Sequence, residues 1–194
     1  MKRYNPEIHH RNSIRLKGYD YSSGGMYFVT VCSQGDENLF GGITDNVMDI
    51  NDAGMMVERL WLALPERFSM VALDEFTVMP NHFHGIIAFR TGEPRVRPFN
   101  HGDHKQGDHK DRPYGTHDNS LGRIIQAFKS MTTVEYVKGV EHSNWPPFPG
   151  RLWHRNYYER IIRDEGELNN IREYIINNPA RWAEDKENQA SETQ

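Results

Sequence analysis

The sequence predicts an α+β fold in which a small antiparallel sheet carries helices on one face. Runs rich in β-branched and aromatic residues alternate with stretches of helical apolar spacing, and Pro, Gly, Asn and Asp clusters punctuate the junctions. Two of the strand-like runs are split by only Met79-Pro80-Asn81, which suits a hairpin.

The turn cluster at residues 20–25 precedes a first strand over residues 26–33, where Tyr27, Phe28, Val29, Thr30 and Val31 favour extended backbone. The only cysteine, Cys32, lies in that run and reads as a buried strand thiol. A helix follows over residues 55–64, with Met56, Leu60 and Leu64 at helical spacing and Asn51 or Asp52 as N-cap. Strands over 71–78 and 83–89 form the hairpin. Asp118 or Ser120 caps a second helix to about residue 138, whose Leu121, Ile124, Ile125 and Phe128 face the sheet. After a proline-rich connector come a strand over 152–162 and a final helix, opened by Asp164 and stopped by Pro179. The order βαββαβα matches a ferredoxin-like layered fold.

A chain of 194 residues suits a single domain, expected over 1–182. Residues 91–119, rich in Gly, Pro, Asp, His and Lys and containing a repeated Gly-Asp-His-Lys, read as a flexible insertion, and 183–194 as a disordered acidic tail. No apolar run approaches the roughly 18 residues of a membrane span, and Met1-Lys2-Arg3 opens onto polar sequence rather than a signal peptide, so a cytoplasmic location is expected. The net charge of -4 conceals two basic segments. Residues 1–17 carry five Lys/Arg against one Glu, and 120–163 carry seven against three. Phosphate binding responds to such local fields, although solvated faces have the same composition.

Pro80-Asn81-His82-Phe83-His84 is the sharpest local feature. In a strand, residues i and i+2 share a face, so His82 and His84 present two imidazoles side by side. Neutral imidazoles suit Mn, Zn or Fe, whereas Mg prefers oxygen, which gives weight to a third, oxygen ligand. A hydrogen-bonded or solvated histidine pair has the same spacing. At i and i+4 of the last helix, Tyr174 and Asn178 share a face and can reach a common point, or they can be a half-buried aromatic and a helix-ending residue. Pro179 disfavours helical backbone at Asn178. Tyr157 and Tyr158, beside Trp153, Arg155 and Arg160, suit base stacking or core packing.

Together, His82-Phe83-His84 before a strand, the aromatic segment Trp153-His154-Arg155-Asn156-Tyr157-Tyr158, and Tyr174 in Tyr-Ile-x-x-Asn-Pro resemble the single-tyrosine HUH transposases, specifically the REP-associated tyrosine transposases. The resemblance spans about residues 11–182 apart from the insertion. It implies an HUH endonuclease-type fold and a metal-dependent single-stranded DNA endonuclease and strand transferase. In that reading a divalent metal, Mg or Mn, sits on His82, His84 and Asn178, and Tyr174 forms a 5′-phosphotyrosine. Single-stranded or hairpin DNA is the implied partner, contacted by Arg11, Arg15, Lys17, Arg123, Lys129 and Arg155. Neither a membrane nor a nucleotide cofactor is implied. The resemblance is compatible with a monomer or with a homodimer that shares active sites. An inactive nucleic-acid-binding module and a hydrolase that activates water are the alternatives.

Overall fold

A computed structural model describes residues 24–35, 37–89 and 120–185. Arg11, Arg15, Lys17, the insertion at 91–119 and residues 186–194 lie outside the described residues.

Four strands build the main sheet: β1 (Gly25–Cys32), β4 (Val71–Val78), β5 (His82–Phe89) and β6 (Tyr158–Ile162). They are ordered β4-β5-β1-β6, and every pair is antiparallel. The two strands most buried, β1 and β5, therefore occupy the centre, consistent with their nearly continuous apolar runs. A separate hairpin, β2 (Gly41–Thr44) and β3 (Val47–Ile50), was not expected. Its turn, Asp45-Asn46, has φ of 52° and 65°, the left-handed backbone that a two-residue hairpin needs and that Asp and Asn tolerate best after glycine.

Helices α1 (Asp52–Leu62) and α3 (Leu121–His142) cover one face, and the short α2 (Leu64–Arg67) leads from α1 into β4. Asn51 caps α1 by accepting from the Gly54 N–H at 2.9 Å, and Ser120 caps α3. On this face Tyr27, Val29, Val31, Phe83 and Ile87 pack against Trp61, Ile124, Ile125 and Phe128 in the principal core. Helix α4 (Glu165–Asn177) does not join them. The expectation of helices on one face holds for α1 and α3, while α4 crosses the other face and rests Ile171 and Ile175 on Ile86 and Ile162, with Met26, Phe28 and Leu168 at the margin. Strand alternation explains this second core. Met26, Phe28 and Ile86 point away from the first core, and only another element can bury them.

Two boundaries differ from expectation. The fourth strand begins at Tyr158 rather than residue 152, because residues 143–157 form an irregular connector pinned to α3. The Tyr136 hydroxyl donates to the Pro146 carbonyl at 3.0 Å, and Trp153 Nε1 donates to Thr132 Oγ1 at 2.7 Å. The chain also continues past Pro179 as a 3-10 helix, Pro179–Glu184, so the tail expected from residue 183 begins with ordered backbone as far as Asp185.

Candidate functional site

The β4–β5 turn fixes the depth of the first imidazole. Met79 N–H donates to the His82 carbonyl at 2.8 Å, and the turn carbonyls of Pro80 and Asn81 accept from Phe40 and Ser33, so the segment after β1 lies over the turn. Asn81 and His82 are consequently buried. His84 follows two residues later on the same face, facing α4, as period-two alternation requires. Across the sheet His84 pairs with Thr30 of β1 and Thr77 of β4, and Thr30 pairs in turn with Tyr158 of β6.

The two imidazoles meet tip to tip, with His82 Nε2 3.0 Å from His84 Nε2. Behind them, His82 Nδ1 lies 2.9 Å from Asn81 Oδ1 and His84 Nδ1 lies 2.8 Å from Thr30 Oγ1. The Asn81 oxygen only accepts, so His82 donates from Nδ1 and keeps a lone pair on Nε2. Thr30 can either donate or accept, so it serves both tautomers of His84. When His84 donates to Thr30, both Nε2 lone pairs converge on one point, an arrangement that a cation relieves. Burial pushes both imidazoles toward the neutral form that ligation requires: His82 falls to about 4, against an opposing pull from Asp185, and His84 lies well below the usual histidine range, helped by its neighbour His82.

Helix α4 brings the phenol. Ile171, Tyr174, Ile175 and Asn178 fall at i, i+3, i+4 and i+7, one stripe directed at the sheet. The stripe changes chemistry where the sheet does: the isoleucines meet Ile86 and Ile162, and Tyr174 meets His84, its hydroxyl 3.4 Å from His84 Nε2. Tyr174 also packs edge-on against Phe28, at 5.9 Å between ring centroids. The residue remains 38% exposed, so the ring reaches the imidazoles from a position at the surface. Helix α4 is further held by Arg172, which clamps Asp74 of β4 through two hydrogen bonds of 2.7 and 2.6 Å. The guanidinium holds the Asp74 carboxyl below its ordinary value.

Asn178 keeps helical backbone, with φ -59° and ψ -43°, despite the proline that follows, so its i+4 alignment with Tyr174 survives. It is buried, and its Nδ2 donates to Asp185 Oδ2 at 3.2 Å, while its Oδ1 has no hydrogen-bond partner. An orphaned buried amide oxygen is costly unless something positive reaches it. Asp185 is the member of the site that sequence reasoning missed. Its carboxylate lies 4.0 Å from His82 Nε2, and His82, His84 and Asp185 offer ligand atoms that all lie within 4.8 Å of one another. Two neutral imidazoles and a carboxylate form a donor set for a divalent ion. The signal for Asp185 was weak, since one acid in an acidic tail looks like any other. It becomes a candidate ligand only because the Pro179–Glu184 turn folds back, placing Trp182 5.9 Å from His82 between ring centroids.

The remaining DNA-contact candidates do not converge here. Arg123 is exposed on α3, across the sheet from the imidazoles. Lys129 donates to the carbonyls of His154 and Asn156 at 2.9 and 2.8 Å, and its burial lowers its pKa to about 8. It ties the connector to α3. Arg155 is exposed on that connector. Among the described residues no helix is long and apolar enough to cross a membrane.

No protein-family model matches the chain. An uncharacterized protein of Haemophilus influenzae is 40% identical over 187 residues, which cover 95% of this chain and 96% of that one. Among solved structures, a REP-associated tyrosine transposase bound to a REP hairpin has the same fold, with a TM-score of 0.54 over 89% of this chain and 77% of that chain. Their sequences are 15% identical, so the likeness is one of fold.

Proposed function

The chain belongs to the same family as the Haemophilus influenzae protein, and we propose that it is a metal-dependent single-stranded DNA endonuclease and strand transferase that works through a 5′-phosphotyrosine on Tyr174. The observation that carries this reading is the meeting of a half-exposed phenol with two buried, neutral imidazoles of the same chain.

His82, His84 and Asp185 would hold a divalent ion, with Asn178 either orienting the carboxylate or adding its own oxygen. Mn suits the mixed nitrogen and oxygen donors better than Mg does. A divalent ion so bound supplies Lewis-acid polarisation of the scissile phosphate. Tyr174 supplies the nucleophile: its oxygen bonds to phosphorus, the bond from phosphorus to the 3′-oxygen breaks, and the phenol proton ends, through solvent, on the released 3′-hydroxyl. Making phenolate from a free tyrosine at pH 7 costs about 4 kcal/mol, which sets the stabilisation that the site must provide. The covalent intermediate conserves the phosphodiester, so a 3′-hydroxyl can attack it and rejoin strands without ATP. Hairpin DNA is the proposed substrate class because the solved transposase with this fold is bound to one.

The test uses single-stranded hairpins with randomised flanks, labelled at the 3′ end and incubated with Mn or Mg. A labelled protein band that survives denaturation, and that is lost in Tyr174→Phe, is the expected result. An adduct that persists in Tyr174→Phe removes Tyr174 as nucleophile. Cleavage with no adduct in the wild-type chain supports a hydrolase that activates water.

A further inference from the structure

Tyr158 is a large aromatic side chain left 61% exposed, and the sheet register says where it stands. Directly opposed residues in antiparallel strands share a face. Tyr158 opposes Thr30, and Thr30 opposes His84, so one cross-strand row on the α4 face runs from Tyr158 through Thr30 to His84. Two strand spacings separate its ends, about 10 Å from backbone to backbone. The middle member is the residue whose hydroxyl meets His84 Nδ1. Tyr158 and Tyr174 thus flank His84, one from the edge strand and one from the helix, and both remain open to solvent.

The chain around Tyr158 is basic. Arg155, Arg160 and Arg163 are exposed, with Glu159 the one acid between residues 155 and 163. Arg160 is paired to Glu167 at 2.6 Å, and the exposed Arg155 and Arg163 lie beyond either end of the strand. An exposed ring on a basic strand edge, one reach away from a phosphate-handling site, has the chemistry of a base-stacking platform. Such platforms accept any base, because every base has a π-face, while nearby cations hold the backbone.

We propose that Tyr158 stacks an unpaired nucleobase adjacent to the scissile phosphate and so sets which phosphate is presented to Tyr174. This inference rests on the nuclease reading of the His82, His84 and Tyr174 site. It makes Tyr158 a positioning residue for substrate, outside the covalent chemistry.

The test separates binding from reaction. Binding of fluorescent oligothymidylate is measured in EDTA, where no cleavage can contribute, for the wild-type chain, Tyr158→Phe, Tyr158→Leu and Tyr158→Ala. Loss of one stacked base weakens binding by about 5- to 150-fold, so Tyr158→Ala falls in that range, Tyr158→Phe retains affinity, and Tyr158→Leu falls between them. Oligothymidylate carrying 5-iodouracil at successive positions, irradiated in the complex, crosslinks to the peptide that contains Tyr158. In the adduct assay, Tyr158→Ala spreads cleavage over neighbouring phosphates or slows it, a change that a merely structural residue at this exposure would not cause. Tyr158→Ala with wild-type affinity and wild-type cleavage position, or a crosslink confined to other peptides, overturns the proposal while leaving the nuclease reading intact. A wild-type chain that binds no single strand and forms no adduct overturns both.

Discussion

The neutral imidazole pair makes folding stability depend on pH in a definite direction. His82 falls from 6.5 to about 4 on folding, and His84 falls well below 6.5, both because burial penalises the charged ring. Between these values the unfolded chain holds protons that the folded chain refuses, so the histidine contribution to stability rises with pH through the window and is complete above about 6.5. Each such histidine contributes a slope of about 1.4 kcal/mol per pH unit. For His82 the full shift amounts to about 3 kcal/mol, and the burial of His84 acts in the same direction. A domain with a total stability of about 5–15 kcal/mol loses much of it over that interval.

Urea unfolding in EDTA at about pH 7.5, 6 and 5 measures the slope directly, with midpoints converted through a common m-value. Asp74, Glu135 and Glu167, whose carboxyls are held below their ordinary values, lose their contributions only at lower pH, which leaves the histidine window clear. The double variant His82→Gln, His84→Gln should flatten the profile above about pH 5. A wild-type midpoint that does not move from about pH 7.5 to 5, or a fall of equal size in the double variant, would show that the two rings are not buried as neutral groups.

Manganese should raise the unfolding midpoint at neutral pH and lose that effect on acidification, since ligation needs both rings unprotonated; a midpoint that ignores the metal in calorimetry speaks against the site. Asp185→Asn removes the carboxylate and Asn178→Ala its buried partner, so metal affinity should fall by at least about tenfold in each, read by isothermal titration. Ile175→Ala truncates a side chain that is 1% exposed and should cost about 2–4 kcal/mol, as should Ile125→Ala in the opposite core. Only Ile175→Ala should also speed amide exchange in α4 and lower adduct yield beyond its loss of folded protein, because it loosens the helix that carries Tyr174.

How much of this was legible in the sequence depended on how local the determining contacts are. The helix starts were readable, at Asn51 or Asp52, at Asp118 or Ser120 and near Asp164, because capping is settled within one turn, and the structure selects Asn51, Ser120 and Asp164 as the caps. The strand at 71–78 was readable from its apolar residues and the proline turn that follows it. The histidine pair was readable for the same reason: period two fixes its geometry whatever surrounds it. The side taken by α4 was not, since a helix with one apolar stripe fits either face of a sheet. What decides is the apolar residues left over on β1 and β5, and these become a second core only once α1 and α3 have claimed the first. Asp185 lay further out of reach, because its role depends on a proline that bends the chain instead of ending its order. Pro179 cannot continue the hydrogen-bond ladder of α4, yet its fixed φ suits the first position of a new turn, and that turn carries Trp182 and Asp185 back over His82. The same proline that makes Asn178 look like a helix end in the sequence is what lets Asn178 face both the tyrosine stripe and the carboxylate beyond it.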